Sequence, residues 1–388
     1  MGSVVGPRSR SAADVNVDAG QVPLMNIRNL LMIVSLVISV IIGLALAHGG
    51  RAGTAAAIGG RPLIGFSMDT LKEQRWQGDR DLFVKKCGEL GADVKVESAN
   101  SDDNQQIKDV QSLLTAGVKV LVVVPHDGLA MSRAVEMAHQ ANVPVIAYDR
   151  LIKNCDLDMY VSFDPVKIGE VDAQYLVDHL PTPGRGKIAI IYGAPTDNNA
   201  QLMKQGFDTV LNPLIKSGAI QVVHADWAED WKPENAKKII NAAITNGEKF
   251  DGILASNDGT AGGAIQALSE AGLAGKIIVT GQDAELAACQ RIVAGTQTCT
   301  IYKPLSMEAT GAAEAAVALA KDKPVIATTS VNNGKIDVPS ILYQVTVVDK
   351  NNLNDTVVKD GFRSYDDVYQ GVPDNQRPPR PTVAVAHS

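Results

Sequence analysis

Two stretches of the chain share one pattern of apolar and polar positions. In Val120–Arg150 (VLVVVPHDGLAMSRAVEMAHQANVPVIAYDR), an apolar run, Val120–Val124, leads through His126-Asp127-Gly128 into a helical pattern. A second apolar run, Val145–Tyr148, follows and ends on Asp149-Arg150. In Gly252–Asp283 (GILASNDGTAGGAIQALSEAGLAGKIIVTGQD) the run Gly252–Ser256 turns at Asn257-Asp258-Gly259. A helix over Ala261–Ala271 stops at Gly272, and the run Ile277–Thr280 ends at Gln282-Asp283. Short continuous apolar runs suit strands of a parallel sheet covered on both faces. Each stretch therefore reads as a β-α-β unit that delivers a carboxylate to the C-terminal edge of a parallel strand, where ligands of open α/β sheets bind.

The same alternation runs through most of the chain. Strands are predicted at Leu63–Met68, Val94–Glu97 and Tyr160–Ser162, with helices at Gln77–Leu90 and Asp102–Ala116 and a polar loop over Asp69–Trp76. The pattern restarts at Gly186. Strands are expected at Lys187–Tyr192, Ile220–His224 and Thr298–Tyr302, and helices at Gln201–Leu211, Glu234–Asn246 and Ser306–Ala320. The loops Gly193–Ala200 and Ala225–Pro233 lie between them. The fold class expected is α/β: two doubly wound parallel-sheet lobes, with the chain crossing between them more than once to form a multi-stranded hinge. The boundaries read as residues 61–163 with 304–332 for the N-terminal lobe and 164–303 with 333–362 for the C-terminal lobe.

The ends break this pattern. The apolar run Leu30–Ala47 lies between an ordinary signal core and a full membrane span in length, and Ala45-Leu46-Ala47 offers a small-x-small cleavage site. Residues 1–60 are read as an export signal, with a membrane anchor as the alternative, followed by a Gly/Ala-rich linker. Residues 363–388, proline-rich from Pro373, are read as a disordered tail.

Composition narrows the function. The 388 residues suffice for two domains of about 100–200 residues each. A net charge of −7 leaves no basic footprint for nucleic acid. The four cysteines, Cys87, Cys155, Cys289 and Cys299, lack the close paired spacing of a zinc site. Cys289 and Cys299 stand near enough for a disulfide or for two buried thiols, and Cys87 and Cys155 are taken as unpaired.

Charged and planar side chains gather just after the strands: Arg75-Trp76, Asp149-Arg150, Asp197-Asn198-Asn199, Trp231, Asn257-Asp258, Asp283 and Lys303. A sugar hydroxyl both donates and accepts, so carboxylates interleaved with Arg, Asn and Lys serve both roles with charge-assisted bonds. An indole stacks on the C–H face of a sugar ring. Asn257-Asp258-Gly259 also has the chemistry of a helix cap, with Asn257 left for the ligand and Asp258 capping. Catalysis finds no motif: G-x-S-x-G, H-E-x-x-H, the phosphate-binding G-x-x-x-x-G-K-[ST] and G-x-G-x-x-G are all absent. Asp149 beside Arg150, and Asp283 near Lys303, should stay ionised, which removes the general acid a glycosidase needs. The histidines, His126 among them, share no metal spacing. No cofactor and no metal are expected.

At these residues the chain resembles the periplasmic sugar-binding proteins of ABC importers, the ribose/galactose type, and within it the D-xylose-binding branch. The motifs RWQGDRDLFVKK, AYDR, DNNA, PENA, ASNDGTAGGAIQAL, TGQDAELA, AGTQT and YKP carry the likeness, from about Leu63 to Phe362. The resemblance implies the type I periplasmic binding protein fold with a three-stranded hinge. It also implies one pyranose, D-xylose or a related aldose, held by Arg75, Trp76, Asp149, Arg150, Asn198, Trp231, Asn257, Asp283 and Lys303. The expected partners are that monosaccharide and the membrane subunits of an ABC permease, with a monomeric binding protein outside the cytoplasmic membrane. Three alternatives share parts of this pattern. A receptor feeding chemotaxis or a sensor kinase would keep the site. The effector domain of a transcription regulator would need a helix-turn-helix where the apolar segment stands. A hydrolase would need turnover of a glycoside.

Overall fold

The computed structural model describes residues 60–382. The apolar run Leu30–Ala47, read as an export signal or membrane anchor, nearly all of the linker and the last residues of the tail lie outside the described residues. Among the described residues, no helix is long and apolar enough to cross a membrane.

The first lobe is a sheet of seven strands in which β1 (Leu63–Met68), β2 (Asp93–Ser98), β3 (Val120–Val123), β4 (Val145–Tyr148) and β5 (Met159–Phe163) run parallel. β11 (Thr329–Asn332) and β12 (Asp337–Tyr343) complete it; β12 is parallel to β5, and β11 returns antiparallel at the edge. Helices α1 (Gln74–Glu89), α2 (Asp103–Thr115) and α3 (Ser132–Gln140) connect the strands. Strands β3, β4 and β5 are buried at every position, as their unbroken apolar runs require. Side chains on alternate faces feed two cores. Ile64, Phe66, Val122 and Tyr148 pack toward α1, and Leu121, Val123, Val145 and Tyr160 pack toward α2 and α3.

The second lobe has the parallel order β7-β6-β8-β9, from β6 (Gly186–Tyr192), β7 (Ile220–Trp227), β8 (Gly252–Ala255) and β9 (Ile278–Val279). Its helices are α4 (Pro165–His179), α5 (Asn198–Lys216), α6 (Pro233–Thr245), α7 (Asp258–Glu270) and α8 (Leu286–Ala294). β10 (Cys299–Tyr302) pairs antiparallel with β13 (Thr346–Asp349) beside this sheet. α4 and α5 cross closely. A Cβ at Gly169 would meet the Met203 carbonyl at 2.1 Å, and one at Gly206 the Val166 carbonyl at 2.1 Å, so two glycines set that separation. α9 (Leu305–Ala320) leaves β10 and packs Ala309, Ala312, Ala313 and Ala316 into the first lobe's core.

The chain thus passes between lobes after Phe163, after Tyr302 and after Tyr343. The last passage corrects a boundary: 333–362 was expected in the C-terminal lobe, but β12 extends the N-terminal sheet, and only from Thr346 does the chain join the other side. β12 carries mixed burial, so its apolar residues alone do not say which sheet it joins. A second correction concerns 363–388. Residues 363–382 are ordered: α10 (Tyr365–Val368) packs Val368 and Tyr369 against Cys289, Tyr302, Leu353 and Val357. The Tyr365 hydroxyl donates to the Pro378 carbonyl at 2.5 Å, and Arg380 pairs with Asp366. Those aromatics anchor a segment whose prolines alone suggest a loose tail. All four cysteines are buried free thiols, so the option of a Cys289–Cys299 disulfide does not hold.

Candidate ligand-binding cleft

Arg75, Trp76, Asp149, Arg150, Trp231, Asn257, Asp283 and Lys303 line one cavity where the two lobes face each other. Asn198 does not line it. Its neighbour Asn199 does, and reaches across the cleft: Asn199 Nδ2 donates to the Asp149 carbonyl at 2.8 Å and to Asp149 Oδ1 at 3.1 Å. The reason is the start of α5. The helix begins at Asn198 rather than at Gln201, with Asp197 capping it by accepting from Asn199 N–H. Helical phase from that cap turns Asn199, not Asn198, into the cleft.

Arg75 and Trp76 are likewise on a helix, not on a polar loop. α1 begins at Gln74, and Arg75 Nε bonds Asp79 Oδ2 one turn on at 3.1 Å. That polar i, i+4 pair extends the helix ahead of its apolar stripe. Asp149 and Asp283 both adopt left-handed backbone, with φ of 60° and 98°, as do Asp230 and Trp231 at 53° and 55°. Such residues cost of order 1–3 kcal/mol each and persist where surrounding contacts hold them. Asp149 is held by Tyr160 and Ser162, whose hydroxyls donate to its carbonyl at 2.7 and 2.6 Å. Trp231 lies flat on Gly193, where a Cβ would stand 2.1 Å from the indole. The indole N–H donates to Asp197 Oδ2 at 3.1 Å.

Asn257 is the N-cap of α7: its Oδ1 accepts from Thr260 N–H at 2.8 Å in a capping box. Asp258, expected to cap, instead turns inward, accepting from Gln297, Thr300 and the Glu285 N–H. Burial and the nearby Glu285 carboxylate push Asp258 up to about 8.

Charge pairs close the cavity from both sides. Arg75 Nη1 lies 2.9 Å from Asp149 Oδ2 and 3.4 Å from Asp283 Oδ1, and Lys303 Nζ lies 2.8 Å from Asp283 and 3.7 Å from Asp149. Arg150 spans Asp69 at 2.7 Å and, across the lobes, Asp197 at 2.8 Å. Both Arg75 and Arg150 stack on Trp76, at 4.1 and 5.1 Å from the ring centre. With these groups drawn together, the cavity leaves about 40 Å³, above the roughly 10–15 Å³ that a single water needs. A ligand has to take over these cross-lobe contacts, hydroxyl for charged group.

Burial alone would raise the Asp149 pKa, but Arg75, Lys303 and Arg150 outweigh it and hold the carboxyl below its ordinary range. Burial raises Asp197 in spite of Arg150. Behind Arg75 stand two fully buried acids. Glu308 is pushed well up by burial and by Asp149, and Asp79, which accepts from the Tyr148 hydroxyl, is raised by burial. Glu308 Oε2 lies 3.4 Å from Arg75. The ionised Asp149 offers acceptors and no proton, as the sequence suggests for a binding site.

Several lining residues escape the strand-end reading: Glu73, Ser162, Phe163, Pro165, Ile168 and Met203. Phe163, Ile168 and Met203 give the cavity an apolar wall at the crossing from β5 into α4. Asp197, Asn199 and Gln282 belong to strand-end clusters visible in the sequence, and all three line the cavity.

The chain is similar in sequence and fold to known proteins. Residues 64–324 match the periplasmic binding protein domain family. The D-xylose-binding periplasmic protein of Escherichia coli (strain K12) is 49% identical over 300 residues, covering 77% of this chain and 90% of that protein. A multiple sugar-binding periplasmic receptor of Rhizobium radiobacter is 33% identical, covering 78% of this chain and 91% of its own. Among solved structures, a carbohydrate transporter solute binding protein from Chloroflexus aurantiacus, in complex with D-glucose, aligns with a TM-score of 0.73 at 34% identity. That alignment covers 78% of this chain and 97% of the other. On the extent of the match and the shared two-lobed fold, the chain belongs to the periplasmic binding protein domain family.

Proposed function

We propose that the protein captures a monosaccharide in the cleft, D-xylose before other aldoses, and delivers it to an ABC permease. It is a binding protein and not an enzyme. The observation that carries the reading is the meeting of opposite charges from two lobes on one small space. Arg75 faces Asp283, Lys303 faces Asp149, Arg150 faces Asp197, and Trp76 and Trp231 flank them. Each such contact exists only when the lobes are together. A polyol that substitutes for them has affinity for the closed form and little for the open one, which is the differential affinity that ligand-driven hinge closure requires. The ligand set we propose is Arg75, Trp76, Asp149, Arg150, Asn199, Trp231, Asn257, Asp283 and Lys303. D-Xylose comes first because the relatives from Escherichia coli and Haemophilus influenzae, at 49% and 47% identity, are D-xylose-binding periplasmic proteins.

The closed lobes would present a joint surface to the permease, with the binding protein acting as a monomer. Its place would be outside the cytoplasmic membrane, reached through the apolar segment Leu30–Ala47. Calorimetric titration with D-xylose, D-ribose, D-glucose and L-arabinose tests the proposal. Saturable heat is expected, strongest for D-xylose; none with any of the four overturns it.

A further inference from the structure

The loop after β3 makes a contact across the cleft that lies outside the cavity. His126 stands on it. Its backbone N–H donates to Gln106 Oε1 at 2.9 Å, which ties the loop to α2 of its own lobe. The ring then spans the two lobes. Nδ1 lies 2.9 Å from Asp103 Oδ1 on the N-terminal side, and Nε2 lies 3.5 Å from Asp230 Oδ1 on the other. Nε2 is buried and makes no hydrogen bond in this geometry, and Asp230 is the carboxylate it faces. Two residues on, Gly128 N–H approaches the Thr196 carbonyl of the C-terminal lobe at 3.5 Å.

Asp230 occupies a demanding position. It precedes Trp231, and both hold left-handed backbone in the turn that lays the indole on Gly193. Whatever fixes the Asp230 carboxylate also fixes that turn. Two carboxylates here face the two nitrogens of one ring. A neutral imidazole carries one N–H and one lone pair, so it serves one carboxylate and turns its lone pair on the other. An imidazolium donates to both.

We propose that His126 is a positioning residue which, when protonated, ties Asp103 to Asp230 across the cleft mouth and holds the Asp230-Trp231 turn against bound sugar. This deepens the sugar-binding reading and rests on it. The surroundings favour the charged ring. Asp69 follows β1, Asp103 opens α2, Asp127 is next in the chain, and Asp230 comes from the facing lobe. The neighbouring cations are already engaged, Arg150 by Asp69 and Lys232 by Asp230 at 2.6 Å. Burial alone would lower the His126 pKa; Asp69 and Asp103, helped by Asp230, outweigh it and raise it above the ordinary histidine value. Opening the lobes removes Asp230 and leaves Asp69 and Asp103, and it also relieves the burial that lowers the ring pKa; the latch requires the loss of Asp230 to outweigh that relief, which puts the open-form pKa below the closed-form one. The latch then contributes fully below the open-form pKa and is lost as pH rises through the closed-form pKa. Closure on sugar takes up protons between the two. Each unit separating them is about tenfold in affinity.

Titration calorimetry with D-xylose between pH 5.5 and 8.5, in two buffers of different ionisation heat, reads this directly. The wild type should weaken several-fold toward the alkaline end and take up a fraction of a proton on binding. H126Q and D230N should bind at every pH as the wild type does at pH 8.5, with no proton uptake beyond background. A wild-type profile that either variant reproduces unchanged overturns the latch. The His126 ring pKa, followed by NMR, gives a second reading: D230N should lower it wherever the lobes are together, as they are in this structure, and most with sugar saturating. A pKa that D230N leaves in place, free and sugar-saturated alike, also overturns the proposal. Absence of heat with every sugar sinks the sugar-binding reading instead, and the ring pKa still decides whether His126 and Asp230 are coupled.

Discussion

Arg75 is 3% exposed and touches Asp79, Asp149, Asp283 and Glu308, four carboxyls from four different parts of the fold. Removing it leaves buried acids without their counter-charge, which costs about 3–5 kcal/mol for a broken buried pair. Arg75→Ala should therefore lose sugar binding and shift the urea midpoint down by a corresponding amount; a variant of wild-type stability would show that the acids had found other partners. Glu308 behaves in the opposite way. Burial, then the Asp149 charge, raises its carboxyl well above the ordinary range in the fold, while the unfolded chain ionises it at the ordinary value. The folded state thus binds more protons, so the Glu308 contribution to stability falls as pH rises from the unfolded pKa toward the folded one. Glu308→Gln should be at least as stable as the wild type at pH 7 and lose that advantage near pH 4, as urea unfolding at the two pH values will show. Residues at strand ends were legible as chemistry in the sequence, because a carboxylate or indole after a buried run has few structural reasons to be there. Glu308 and Asp79 were not. They sit inside helices, where an acid ordinarily faces water; Asp79 meets Arg75 one turn along α1, and the packing of α9 against α1 brings Glu308 to it.

The helices carry two features that the apolar period does not reveal. Their starts lie earlier than that period suggests: α1 opens on Gln74 and α5 on Asn198, both in polar sequence. Caps and i, i+4 pairs decide such starts, and they decided that Asn199 rather than Asn198 enters the cleft. The other feature is close approach. Gly206 on α5 rests against the backbone of α4, so Gly206→Ala must separate the helices and should destabilise by about 1–3 kcal/mol, typical of overpacking. Because α5 opens on the Asp197-Asn199 cap, the same change should weaken sugar binding, measured by titration calorimetry beside thermal unfolding; a shift in neither would mean that the crossing is looser than its geometry indicates. The C-terminal segment belongs to this scale too. Val368 and Tyr369 are buried beside Cys289 and Tyr302. Ending the chain after Phe362 should lower the melting temperature by several degrees, whereas an unchanged melting curve would make the segment a mere covering. Its prolines point to disorder, and its two tyrosines and Val368 outweigh them.

Two lobes meet through three chain crossings and a set of charged contacts that exist only in the closed form. The two β-α-β units announced this architecture in the sequence, since each repeats one pattern and ends on one carboxylate. The final crossing, after Tyr343, was hidden because β12 could join either sheet on its side-chain pattern. Closure should be visible in solution: the radius of gyration from X-ray scattering should fall when D-xylose is added, and constancy would leave the cross-lobe pairs without a role in capture. The cysteines bear on how such motion is followed. Cys87, Cys155, Cys289 and Cys299 are the chain's four, all buried; burial raises Cys87 and Cys289 to about 12 and Cys155 to about 11, and raises Cys299 well above its ordinary value. Thiolate is the reactive form, so the native protein presents almost none to a maleimide. Leu129→Cys on the first lobe and Ile215→Cys on the second, at positions 54% and 40% exposed, would then accept a donor and an acceptor dye without any background cysteine being removed first, and distance-dependent energy transfer between them would turn the protein into an optical gauge of dissolved sugar.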